Sequence, residues 1–115
     1  MTCIFCEIAR GEKPAKIFYK DDATIVFADI NPKAPIHLLV CPREHHERIY
    51  KLPADLVLRL TKTIGIIAEK LQLEDNFRLQ LNNGARAGQI IDHLHFHFIS
   101  RGSDEHLEYL TEEQL

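Results

Sequence analysis

Apolar residues recur at spacings of three and four at Leu56, Leu60, Ile64, Ile67 or Ala68, and Leu71, which predicts one long helix over about Pro53 to Leu71. Pro53 suits its first turn. Elsewhere the period is two. Phe77, Leu79 and Leu81 alternate with Arg78, Gln80 and Asn82, predicting a strand with one buried face. Leu94, Phe96 and Phe98 alternate in the same way with His93, His95 and His97, so the apolar set should face the helix and the histidines the opposite side. Shorter signals complete the chain. Phe5 to Arg10 reads as a short helix ended by Gly11, and Ala15 to Tyr19 and Thr24 to Ala28 as two strands joined by the turn-prone Lys20-Asp21-Asp22. Leu38 to Cys41, bounded by Pro42, reads as a buried strand. Mostly sequential strands with one long helix predict an antiparallel α+β domain.

At 115 residues with no internal repeat or low-complexity linker, the chain is expected to form one domain, 1–115. Its 45% hydrophobic and 27% charged residues are a globular balance and exclude a disordered or fibrous chain. No apolar run approaches the roughly 20 residues that cross a bilayer, and Met1 to Cys6 lacks the pattern of a signal peptide, so a cytoplasmic location is expected. A formal charge of −3 offers no general attraction to nucleic acid or an anionic membrane, and neither is expected as a partner. Any phosphate must be held locally. Three cysteines, with Cys3 and Cys6 only three positions apart, do not suit a secreted disulfide framework.

The seven histidines are the anomaly, and six of them cluster as His37, His45, His46 and His93, His95, His97. Alternate positions on a strand stand about 6.6 Å apart on one face, so three imidazoles share a surface. The outer two would then lie about 13 Å apart, too far for all three to close a tetrahedron around one ion. At most two share a metal. The remaining reading makes the central ring, His95, a nucleophile toward phosphorus, because imidazole is partly neutral near pH 7. Such chemistry needs donors for phosphate oxygens, and the segment Asn83 to Gln89 carries two glycines that let backbone N–H groups turn toward an anion.

The run His93-Leu94-His95-Phe96-His97-Phe98-Ile99 resembles the signature of the histidine-triad superfamily. Phe27 to Pro42 resembles that family's ribose-side segment, and Asn82 to Gln89 its phosphate loop; the likeness covers about 3–101 and is strongest to the Hint-like nucleotide-binding branch. The resemblance implies a five-stranded antiparallel sheet with one long helix, commonly paired as a homodimer. It implies that His95 attacks the α-phosphorus of a purine nucleotide conjugate or nucleoside phosphoramidate, and that water then releases AMP or GMP from the covalent adduct. His97 would donate to phosphate or leaving group, and His37 and His93 would support the site. Asn82, Gly88 and Gln89 would help hold phosphate, Asp29 would accept from ribose hydroxyls, and Ile30 would lie beside the base. Asp29 fits equally well as a turn residue before Asn31-Pro32.

Ile90 occupies a position where the family commonly has Ser or Thr, so one phosphate donor is missing and a low-turnover nucleotide-binding protein is the alternative to a hydrolase. The resemblance further implies a structural zinc held by Cys3, Cys6, His45 and His93, and no organic cofactor. A metal-dependent hydrolase using these groups is a third reading. His46 and His106 are expected to face solvent and Cys41 to be a core thiol. The acidic, helix-prone stretch within 103–115 lies outside the resemblance.

Overall fold

The computed structural model describes residues 2–102, so the tail from Asp104 and its His106 lie outside the described residues. Helix α1 (Ile4–Ala9) is followed by strands β1 (Ile17–Lys20), β2 (Thr24–Ala28) and β3 (Ile36–Pro42). A 3-10 turn (Ile49–Lys51), helix α2 (Ala54–Leu71), β4 (Arg78–Leu81), a second 3-10 turn (Ala85–Ala87) and β5 (Phe96–Ser100) complete the order. The five strands form one antiparallel sheet in the order β1-β2-β3-β5-β4. This is the expected α+β architecture.

Each face of the sheet has its own helix. Val26, Leu38, Val40 and Phe98 alternate onto one side and pack with Leu60, Ile67 and Ala68 of α2. Ile25, Phe27, Leu39 and Cys41 point to the other side and are covered by Phe5, Ile8 and Ala9 of α1. Cys41 is a fully buried core thiol, and its burial raises its pKa. The β1–β2 turn closes on Asp21, whose Oδ1 accepts from the backbone N–H groups of Ala23 and Thr24 at 2.9 and 2.7 Å. Among the described residues no helix is long and apolar enough to cross a membrane.

Two boundaries differ from the sequence reading in ways that matter for the site. Strand pairing begins at Phe96, so His93 and His95 precede β5, His93 at the end of a bend, and the three rings do not form one row. The expected buried face of β4 is covered only in part: Phe77 and Leu81 pack against the α2 core, whereas Leu79 is 41% exposed on the edge strand.

Candidate functional site

His37 and His97 stand on β3 and β5, diagonally across one strand pair and on the sheet face away from α2. The backbone N–H of Lys33 donates to His37 Nδ1 at 3.1 Å, so the neutral ring carries its proton on Nε2. That nitrogen lies 2.9 Å from His97 Nδ1 and 3.4 Å from the Asp29 carboxylate. Donation to His97 Nδ1 leaves the His97 proton on its own Nε2. Burial lowers the pKa of both rings, that of His97 to about 4 with further help from the charges of His95 and His37. Both are therefore neutral near pH 7.

His95 is set by a backbone acceptor. Its Nδ1 lies 2.8 Å from the carbonyl oxygen of His93, which can only accept, so the proton sits on Nδ1 and the lone pair on Nε2. The residue is 8% exposed, and its ring packs edge-on against Phe5 at 5.1 Å between centroids. Its Nε2 has no hydrogen-bond partner among the described residues yet is not among the buried unpartnered atoms, so the ring's remaining exposure includes this nitrogen. The His97 ring lies 5.0 Å away. A basic nitrogen thus sits beside a neutral N–H donor.

The four residues expected as metal ligands come together, although their segments are far apart in sequence. Cys3 Sγ lies 3.4 Å from His93 Nδ1, and Cys6 Sγ lies 3.4 Å from His45 Nδ1 and 3.5 Å from His93 Nδ1. A zinc tetrahedron with bonds of about 2.3 Å to sulfur and 2.0 Å to nitrogen has S···N edges of about 3.5 Å. Each imidazole gives its other nitrogen a fixed acceptor, His93 Nε2 donating to Pro42 O at 2.8 Å and His45 Nε2 to Glu47 at 3.0 Å. Both Nδ1 lone pairs therefore converge on the thiols, with the outer partners that metal-binding histidines require. Burial, reinforced by the neighbouring Cys3, pushes the Cys6 thiol up to about 11, a cost that a cation between the sulfurs removes.

Asp29, His37 and His97 form a second group of metal-ligating type. Its chemistry does not fit an ion. The Lys33 N–H occupies the His37 Nδ1 lone pair, so His37 Nε2 keeps the proton that a metal would have to replace.

An open cleft of about 820 Å³ reaches the site at His37, and is lined also by Phe18, Asp29, Ile30, Pro32 and Pro35 among others. It has the size of a small-molecule site and is largely apolar. Asp29 uses Oδ1 in a turn, accepting from Asn31 N–H at 2.8 Å, and has Oδ2 near His37. The turn reading and the cleft position both apply. Ile30 projects into solvent beside the cleft.

The glycine segment forms a tight loop around the second 3-10 turn. Gly84 and Gly88 both have positive φ, +97° and +91°, and a Cβ on Gly88 would meet the Asn82 amide at 3.3 Å. Asn82 Nδ2 donates to Gly88 O at 3.4 Å. Ile90 is 90% exposed and offers a phosphate only its backbone N–H. Gln89, expected to help hold phosphate, is 6% exposed and its side-chain amide is bonded inward. His46, expected to face solvent, is half-buried, with its Nε2 3.6 Å from the Glu44 carboxylate and its carbonyl accepting from Leu94 N–H.

Several residues that shape the site carry no sequence signal of their own. Phe5 lies against both His93 and His95, Glu47 holds His45, and the Asn83 side chain accepts from Ile49 N–H at 2.8 Å. Lys33 and Pro42 act through backbone atoms, which any residue type carries, apart from proline's missing N–H.

Comparison with known proteins agrees with this fold. The family profile of the HIT domain matches residues 10–104. An uncharacterised HIT-like protein of Methanocaldococcus jannaschii is 42% identical over 101 residues, covering 86% of this chain and 78% of its own. An adenosine 5'-monophosphoramidase of Schizosaccharomyces pombe is 34% identical over 113 residues, covering 92% of this chain and 79% of its own. Among solved structures, a Zn-bound histidine triad family protein from Mycobacterium smegmatis superposes with a TM-score of 0.79 at 30% identity, covering 93% of this chain and 80% of that one. Matched over most of its length both by the domain profile and by these relatives, the chain belongs to the HIT domain family.

Proposed function

We propose that this protein is a nucleotidyl hydrolase that releases AMP or GMP from a nucleoside phosphoramidate or related conjugate through a covalent intermediate on His95. The observation that carries this reading is the pair of enforced tautomers: the His93 carbonyl holds the proton of His95 on Nδ1, and His37 holds that of His97 on Nε2. The base and ribose would occupy the cleft, with Ile30 beside the base and Asp29 Oδ2 toward the ribose hydroxyls. The His95 Nε2 lone pair attacks the α-phosphorus as the bond to the leaving amine breaks. His97 Nε2–H donates to a phosphate oxygen or to the departing group. Water then attacks phosphorus, the phosphorus–nitrogen bond to His95 breaks, and the monophosphate leaves. The loop Asn82 to Ile90 would offer the transferred group the amide of Asn82 and the N–H of Ile90, because the N–H groups of Gly84, Ala87, Gly88 and Gln89 are bonded within the loop. The name of the Schizosaccharomyces pombe relative supports the substrate class.

Cys3, Cys6, His45 and His93 would hold a structural zinc, whose two charges would be balanced by the two cysteines bound as thiolates, their protons released to solvent, and which would tie α1 to the segment before β5. The chain would pair as a homodimer through the open apolar groove between α2 and β4, about 290 Å³ in volume and lined by Val57, Thr61, Phe77, Leu79 and Phe96. A low-turnover nucleotide-binding protein is the second reading, favoured by Ile90.

Incubation with adenosine 5'-phosphoramidate separates these readings. Release of AMP is expected, and His95→Ala should reduce it to background with an unchanged melting temperature. A variant as fast as the parent refutes the nucleophile. Tight AMP binding by calorimetry without turnover supports the second reading, and turnover that survives in metal-free, folded protein removes metal-dependent hydrolysis.

A further inference from the structure

The side chain of Gln89 has no donor left for an anionic ligand. Its Oε1 accepts from Gly84 N–H at 2.7 Å, while its Nε2 donates to the carbonyls of Glu47 and Ile91, both at 3.0 Å. Its own backbone N–H donates to Gly84 O at 3.1 Å, so one residue closes the glycine loop at both backbone groups of Gly84. The two donations of the amide lead out of that loop. Glu47 is the residue whose carboxylate fixes His45, and Ile91 lies two positions before His93. A buried amide with three satisfied bonds transmits geometry, because breaking any one leaves a polar group unpaired.

Other links between the two loops are weaker or lead elsewhere. Arg48 to Asp92 is partly exposed, Leu94 N–H to His46 O reaches the histidine segment alone, and Asn83 holds Ile49, which lies beyond Glu47. We propose that Gln89 is a positioning residue that couples the Cys3, Cys6, His45, His93 cluster to the Gly84–Gly88 loop, so that a divalent cation in the cluster and a nucleotide phosphate at the loop strengthen each other's binding. The inference rests on the nucleotide reading above. It assigns Gln89 no contact with substrate.

Reciprocity makes the coupling measurable as a ratio. If occupancy of the cluster orders the loop, AMP must tighten zinc binding by the same factor by which zinc tightens AMP binding. Zinc dissociation constants are measured on the full chain by competition with a chromophoric chelator, with and without saturating AMP. The parent is expected to show about a 5-fold or larger tightening. Gln89→Met, which removes all three side-chain bonds, should bring the ratio close to one. Gln89→Glu retains the acceptor for Gly84 and loses both donors, so it tests the bridge while preserving the ring. Affinity changes common to both zinc measurements cancel in the ratio, which a merely destabilised loop would leave intact. A parent ratio of one, zinc that does not bind, or a Gln89→Glu ratio equal to the parent's overturns the coupling while AMP binding stands. Failure of AMP to bind the parent overturns the nucleotide reading, and this inference with it.

Discussion

The proton of His97 is placed from a distance, by the Lys33 N–H acting through His37. Keeping both rings buried and neutral has a measurable consequence. An unfolded histidine has a pKa of about 6.5, whereas burial holds that of His97 at about 4 and lowers that of His37. Between these values the unfolded chain binds protons that the native chain does not, so stability rises with pH across the window. Stability should therefore fall as pH drops from about 6.5 to about 4, and the contribution of His97 should level off below that. Urea denaturation at several pH values checks this against His97→Asn, which should show a shallower dependence than the parent. Identical slopes would contradict the assigned neutral state.

At the scale of elements, α2 ends on a residue that resists its conformation. Gln72 has φ +58°, and its N–H bonds back to Ala68 and Glu69, closing a left-handed cap that glycine usually fills. Since a side chain in this region costs roughly 1–2 kcal/mol, partly offset by glycine's greater unfolded freedom, Gln72→Gly should stabilise by about 0.5–1 kcal/mol. The denaturation midpoint reports it; an unchanged or lower midpoint refutes it. The helix itself was legible because Leu60 and Ile67 repeat at its period, and the strands because alternation survives in short segments. Alternation does not say what covers a face. Leu79 shows this, belonging to the apolar side of β4 and yet lying open. It also placed His93 in line with His95 and His97, whereas the chain there precedes β5 and turns the ring to the thiols. The four ligand positions were legible only as a family resemblance. Gln89 was legible as part of the loop but not in its direction, since an amide serves equally well outward or inward.

For the whole molecule, the open groove beside β4 and the histidine site make separate demands. If the groove is the contact between two copies, Leu79→Lys places a charge in it and should convert a dimer to a monomer in sedimentation equilibrium, with the melting temperature then independent of protein concentration. A parent that is monomeric at micromolar concentration would refute the pairing. The central claim is that the Nε2 of His95 forms a bond to phosphorus. Rapid mixing with adenosine 5'-phosphoramidate, acid or denaturant quench within one turnover, and intact mass spectrometry test it most directly. The account predicts a species heavier by one adenylyl group in the parent and its absence in His95→Ala. Turnover by the parent with no such species at any quench time, or an adduct that persists in His95→Ala, would contradict it.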